Sequence, residues 1–263
     1  MATAPFTTPL PAASELRPVP HLVRGVWLES LRRNELWVIG ILLGLYILLA
    51  LVLRIVGIES AQSARFIRGL GFDLGGLLAS LLVIVTGSRQ LPAEIELRTI
   101  YPVLAKPVRR EALLWGKALP TWALGVAAML AFGIATLALT PSLPQQSALP
   151  LVAALVLEAV ALAVLTSMAI CLSLWMPPAV TMLVAGALAL GGGFASNMIA
   201  RVSGAQWLAG LWPDVSVLDQ FQRYVDGGAA LAPAAFGGLA LYGALWIFVF
   251  AMAAAGRFRR MPI

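Results

Sequence analysis

The stretch Arg89-Gln-Leu-Pro-Ala-Glu-Ile-Glu-Leu-Arg-Thr-Ile-Tyr-Pro-Val-Leu-Ala-Lys-Pro-Val-Arg-Arg-Glu111 interrupts two long apolar runs, 69–87 and 118–139. Each run is about the length of a helix that crosses a hydrocarbon layer, roughly 20 mostly apolar residues. The interruption is charged, proline-punctuated and built to meet water. The runs place the chain in a bilayer; the interruption is where something outside the bilayer can take hold.

The rest of the chain follows the same pattern. It is 60% hydrophobic and only 11% charged, where soluble domains carry about 25% charged residues. A soluble fold of this length lacks the polar surface to cover itself, so the excess apolar surface faces lipid. Six segments qualify as spans: 36–55, 69–87, 118–139, 150–175, 179–199 and 234–255. They are continuously apolar instead of alternating, so the expected fold is all-α, a polytopic membrane protein with six transmembrane helices. Residues 1–20, rich in Pro, Ala and Thr, read as a disordered cytoplasmic tail without a secretory signal. Residues 21–263 read as one membrane domain.

Lys and Arg set the orientation. With the N-terminus inside, thirteen of the eighteen basic residues fall on the inner side; Arg54, Arg65, Arg68, Arg201 and Arg223 fall outside. Both termini are then cytoplasmic, in a cell membrane of the bacterial inner-membrane kind. The net charge of +6 is explained by this asymmetry, so nucleic acid is not expected as a partner. Residues 21–34 put Leu22, Val26, Trp27 and Leu31 on one side and Arg24, Arg32 and Arg33 elsewhere, the pattern of an amphipathic interfacial helix. Residues 201–228 read as one or two short helices on the outer face, with Asp214 or Ser216 as a cap.

Chemistry of the chain's own is sparse. Gly116-Lys117 ends like a phosphate-binding loop, but Glu111 and Ala118 stand where Gly and Ser/Thr are needed. The single histidine, His21, and single cysteine, Cys171, allow neither a metal cluster nor a disulfide within the chain. No Ser/His/Asp set is present, and no pair of facing intramembrane carboxylates is expected. No catalytic residue, metal or bound cofactor is therefore assigned, and the chain is not expected to be an enzyme by itself.

Glu158 lies inside the fourth span. A carboxylate there is costly; it either contacts a substrate or ion, or is protonated or paired to help helices pack. Asp73 reads as interfacial at the start of the second span, and Asn197 near the end of the fifth is a weaker polar candidate. Gly40 and Gly44, like Gly71 and Gly75, form small-xxx-small faces, and Gly191, Gly192 and Gly193 interrupt the fifth span. Such faces suit helix packing within one subunit, or a subunit interface or gate.

The interruption itself reads as a short helix over 93–103 starting behind Pro92, a proline-stopped turn, and a basic helix over 109–117 entering the third span. Its residues Glu94, Glu96, Thr99, Leu104, Pro107, Arg110, Gly116 and Lys117 resemble the first cytoplasmic loop of type-2 ABC transporter permeases. Those loops carry an acidic pair, Gly-Thr, a leucine run, Pro-(Val/Ile)-Ser-Arg and Gly-Lys; here Arg98 replaces the glycine and Arg109 the serine. The resemblance implies a coupling loop, 89–117, in which Glu94, Glu96, Arg98, Thr99, Tyr101, Lys106, Pro107, Arg109 and Arg110 contact an ATPase. It further implies two soluble ABC ATPase subunits, a second permease subunit forming a homodimer, and ATP and magnesium held by the partners. The substrate would be exported or extracted from the membrane along a pathway between the subunits. The competing readings are a non-transporting scaffold that couples ATP hydrolysis to periplasmic assembly, and a stand-alone secondary transporter or channel.

Overall fold

The computed structural model describes residues 34–55, 61–96, 110–140, 148–201 and 213–260, and their regular structure is entirely helical. In chain order the elements are α1 (Asn34–Ile55), α2 (Ala61–Glu96), α3 (Arg110–Leu139), α4 (Ala148–Ser173), α5 (Pro178–Arg201), a 3-10 turn (Val215–Leu218), the short α6 (Phe221–Val225) and α7 (Pro233–Arg260). Among the described residues four helices are long and apolar enough to cross a membrane, through Gln62–Ala93 of α2, Leu114–Leu139 of α3, Ala148–Ser173 of α4 and Pro233–Arg260 of α7. The apolar stretches of α1 and α5 are shorter, Trp37–Leu53 and Pro178–Phe194.

Helix α2 is the hub. It packs on α3, α4 and α5, while α4 is sandwiched between α2 and α7, and α1 lies at the edge against α2 and α3. The main core joins Phe72, Ala79, Leu82 and Val83 of α2 to Leu124 and Met129 of α3 and to Leu162, Leu165 and Met168 of α4. A second cluster, Leu91, Leu114, Ile170, Cys171, Leu174, Ala254 and Phe258, fastens the ends of α2, α3, α4 and α7 that lie nearest the polar interruption.

Lipid tails are as apolar as leucine, so helices in a bilayer associate through close packing and hydrogen bonds between them. Both are present. A Cβ placed on Gly75 would lie 2.8 Å from the Cβ of Phe132, and one on Gly125 would run into Val83. Glycine at these positions lets α2 and α3 approach as closely as they do. At the edge of the bundle the Tyr46 hydroxyl of α1 lies 3.0 Å from Thr136 Oγ1 and 3.2 Å from the carbonyl of Ile67. One turn on, Arg68 donates through Nε and Nη2 to Thr140 Oγ1, at 3.2 Å each.

Several sequence expectations change here. Helix α2 starts at Ala61, not 69, so Arg65 and Arg68 belong to the helix and not to a loop. Arg68 is only 2% exposed; its hydrogen bonds and the Tyr224 ring 5.8 Å beneath it compensate the burial. The break expected at Pro92 does not occur. Helix α2 continues through it to Glu96, so residues 93–96 extend the long helix and do not open a separate one. An interior proline costs about 3 kcal/mol. Neighbouring packing offsets it: Leu91 is fully buried and Gln90 Nε2 donates to Thr121 Oγ1 of α3 at 2.8 Å. The basic helix expected over 109–117 is the first part of α3 itself. The glycines 191–193 do not interrupt α5, which runs unbroken from Pro178 to Arg201.

The connection after α5 does contain short helices. Asp214 caps the 3-10 turn, its Oδ1 accepting from the Ser216 N–H at 3.0 Å and from its hydroxyl at 2.6 Å. Helix α6 ends on Gly227, whose φ of 73° suits a residue without a Cβ. There the N–H of Gly228 returns to the Arg223 carbonyl at 2.9 Å and that of Gly227 to the Tyr224 carbonyl at 3.1 Å.

Candidate functional site

The residues singled out in the sequence divide into three groups. Arg24, Trp27, Arg32 and Arg33 of the interfacial helix lie outside the described residues, as do Arg98, Thr99, Tyr101, Lys106, Pro107 and Arg109 of the polar interruption. Glu94 and Glu96 fall in the last turn of α2 and Arg110 opens α3, so the two longest helices flank the interruption directly. The two are pinned together just before it: the Thr121 hydroxyl that accepts from Gln90 donates to the Lys117 carbonyl at 2.9 Å. Nearby on α7, the Arg257 guanidinium sits 4.7 Å over the Trp175 ring, a cation–π contact.

The glycines are sorted by their surroundings. Gly71 and Gly75 pack inside the chain, against Tyr46, Thr136 and Phe132. Gly40 and Gly44 have the same spacing, but none of the described residues lies within 4 Å of a Cβ at either. Gly191 is equally open, whereas Gly192 and Gly193 seat the segment Pro213–Ser216; a Cβ on Gly192 would stand 3.4 Å from the Pro213 carbonyl oxygen. Asn197 lies in the last third of α5.

Glu158 belongs to a site the sequence did not reveal. It is 6% exposed and lines a cavity of about 250 Å³ between α2, α4, α5 and the 213–221 connection. The wall contains Asp73 and Ser80 from α2, Glu158 from α4, and Ser216 and Asp219 from the connection, set among Phe72, Leu77, Leu165, Leu190 and Phe221. Among the described residues, three carboxylates and no basic side chain line it. Asp73 and Glu158, 85 residues apart in sequence, border the same space. Asp73 lies twelve residues into α2, which begins at Ala61, and its side chain is exposed.

Local structure explains how the carboxylates fit. Gln222 Nε2 lies 3.1 and 3.0 Å from the two oxygens of Asp73, and Asp219 accepts the Phe221 N–H at 3.1 Å. A Cβ on Gly76 would stand 3.2 Å from Glu158 Oε1, so the glycine leaves room for the carboxyl group. The Phe72 and Phe221 rings stack with centroids 4.5 Å apart and form an aromatic wall. Among the described residues no group of three or more His, Cys, Asp or Glu side chains is close enough to hold a metal ion. No family model matches this chain, and neither does any curated protein.

Proposed function

We propose that this chain is the membrane permease subunit of an ATP-driven ABC transporter, working as a homodimer with two soluble ATPase subunits. The observation that carries the proposal is the continuity of α2. Its 36 residues reach about 54 Å at 1.5 Å per residue, well beyond a hydrocarbon core about 30 Å thick. The helix therefore delivers Glu94 and Glu96, the acidic pair of the resembling motif, as a rigid extension of a membrane helix. Helix α3 returns from the other side of the motif, pinned to α2 through Gln90 and Thr121. A partner that grips 97–109 acts on two long helices at once, and an ATPase can bias a membrane equilibrium only through a contact that differs between its own states.

In this arrangement α1 and α5 complete six spans: 22 and 24 residues reach about 33 and 36 Å. Their shorter apolar stretches are matched to a bilayer by polar ends. The termini and the end of the bundle built on Leu91, Leu114 and Phe258 face the cytoplasm, and the 213–232 connection caps the outer side. Gly40 and Gly44, open in the single chain, offer α1 to the second copy. The substrate is exported or extracted along the interface between copies.

Reversing both charges, Glu94→Lys with Glu96→Lys, tests the proposal. The variant is expected to insert in the membrane normally, to lose its ATPase partner and to abolish transport. Normal transport with normal retention of the ATPase by this variant would refute docking through 89–117.

A further inference from the structure

We propose that the cavity at Glu158 is a binding site for a small organic cation with an apolar body. Glu158 lies ten residues into α4, roughly 15 Å along the helix. It is buried, lines the cavity, and accepts no hydrogen bond among the described residues. The other two carboxylates are satisfied: Gln222 serves Asp73, and the Phe221 N–H serves Asp219. A carboxylate inside a membrane without a donor or counter-charge is costly, and either a proton or a cation relieves that cost.

Among the described residues no neighbouring cation supplies that relief. Arg68, on the same helix as Asp73, is turned toward Thr140 and Tyr224. Arg223 donates to the Ala229 carbonyl at 3.0 Å. The walls specify the rest of the ligand. The stacked Phe72 and Phe221 rings present aromatic faces, which attract a desolvated cation as well as its hydrocarbon substituents. A bare metal ion finds no converging ligand set here, whereas an ammonium group with an apolar body meets both charge and hydrocarbon. The volume of about 250 Å³ lies just below the usual range for drug-sized ligands, so the cation is small. Asp73 and Asp219 are exposed at the mouth and raise the local concentration of cations there; Glu158 holds the charge at depth.

Binding is measured on the whole chain in phosphatidylcholine nanodiscs, without ATPase or nucleotide, so the outcome is separate from that of the transporter proposal. The probe is radiolabelled benzyltrimethylammonium, and neopentylbenzene, its uncharged carbon isostere, is the competitor. The wild type is expected to bind the probe saturably, displaced by the unlabelled cation and not by neopentylbenzene. Glu158→Gln is expected to weaken binding roughly thirtyfold, the effect of removing one member of a buried charge pair. Asp219→Asn, at the mouth, weakens it less, and Gly76→Val abolishes it by filling the cavity. Size exclusion and circular dichroism establish folding, and if Glu158→Gln does not fold, the other two variants decide. Absence of saturable binding to the wild type, undiminished binding by the folded variants, or equal competition by neopentylbenzene would overturn the assignment.

Discussion

Replacing Gly75 by alanine tests the α2–α3 contact with a single carbon. Two effects oppose each other. In a helix interior alanine is favoured over glycine by about 0.5–1 kcal/mol, because glycine loses more backbone freedom on folding. Against this, the new Cβ would lie 2.8 Å from Phe132 Cβ and 3.4 Å from its Cγ, where non-bonded carbons rest at about 3.5–4.0 Å. Phe132 is fully buried and its Cβ is fixed to the α3 backbone, so no rotamer change relieves the contact. The helices must separate there by roughly 0.7 Å, and overpacking of this kind costs about 1–3 kcal/mol. Taking the middle of each range, about 2 against about 0.75 kcal/mol, the net expectation is a loss of about 1 kcal/mol. Gly44→Ala is the control: none of the described residues lies within 4 Å of its Cβ, so the propensity gain of up to about 1 kcal/mol stands alone. Unfolding of single chains in mixed micelles, titrated with sodium dodecyl sulfate and followed by circular dichroism, gives both values. A Gly75→Ala chain as stable as the wild type, or more stable, would refute close packing of α2 on α3 at this point.

Three further outcomes follow from the same contacts. Tyr46→Phe removes the hydroxyl near Thr136 Oγ1 and the Ile67 carbonyl and is expected to cost about 1 kcal/mol in the same titration. Arg68→Met removes two charge-assisted hydrogen bonds to Thr140 at a cost of about 1.5–3 kcal/mol; thermal unfolding in detergent, unchanged from wild type, would show that the buried guanidinium does not hold α2 to α3. Gly227→Ala places a Cβ at φ 73°, a conformation that costs an L-residue about 1–2 kcal/mol, and is expected to loosen the 213–228 connection, read as faster hydrogen exchange at the Gly227 and Gly228 amides.

The helices were legible because their signal is local: runs of apolar residues mark where the long helices lie. Their ends were less so. Charges at Arg65 and Arg68 read as a loop, because only the fold shows Thr140 and Tyr224 waiting for the guanidinium of Arg68. Pro92 read as a breaker, because the packing of Leu91 and the Gln90–Thr121 hydrogen bond that carry the helix past it involve α3 and the far side of the chain. The two glycine pairs have identical spacing, yet Gly71 and Gly75 are packed while Gly40 and Gly44 are open; spacing cannot distinguish them. Glu158 stood out in the sequence as an intramembrane charge. Its neighbours Asp73 and Asp219 come from 85 residues before it and 61 after, so the cavity has no signature along the chain. Asp214 as a cap was legible, since a cap is a contact over two residues.

The segment after Glu96 decides whether this chain works with an ATPase from the cytoplasm. The one cysteine, Cys171, is buried, so a Cys171→Ala chain carrying Thr99→Cys places a single accessible thiol in that segment. Its reaction with a membrane-impermeant maleimide is measured in intact cells and in inverted vesicles, with and without the ATPase partner. Labelling only in inverted vesicles, and shielded when the partner is bound, is the predicted result. Labelling from the outside of intact cells, or labelling in inverted vesicles that no bound ATPase shields, would contradict it.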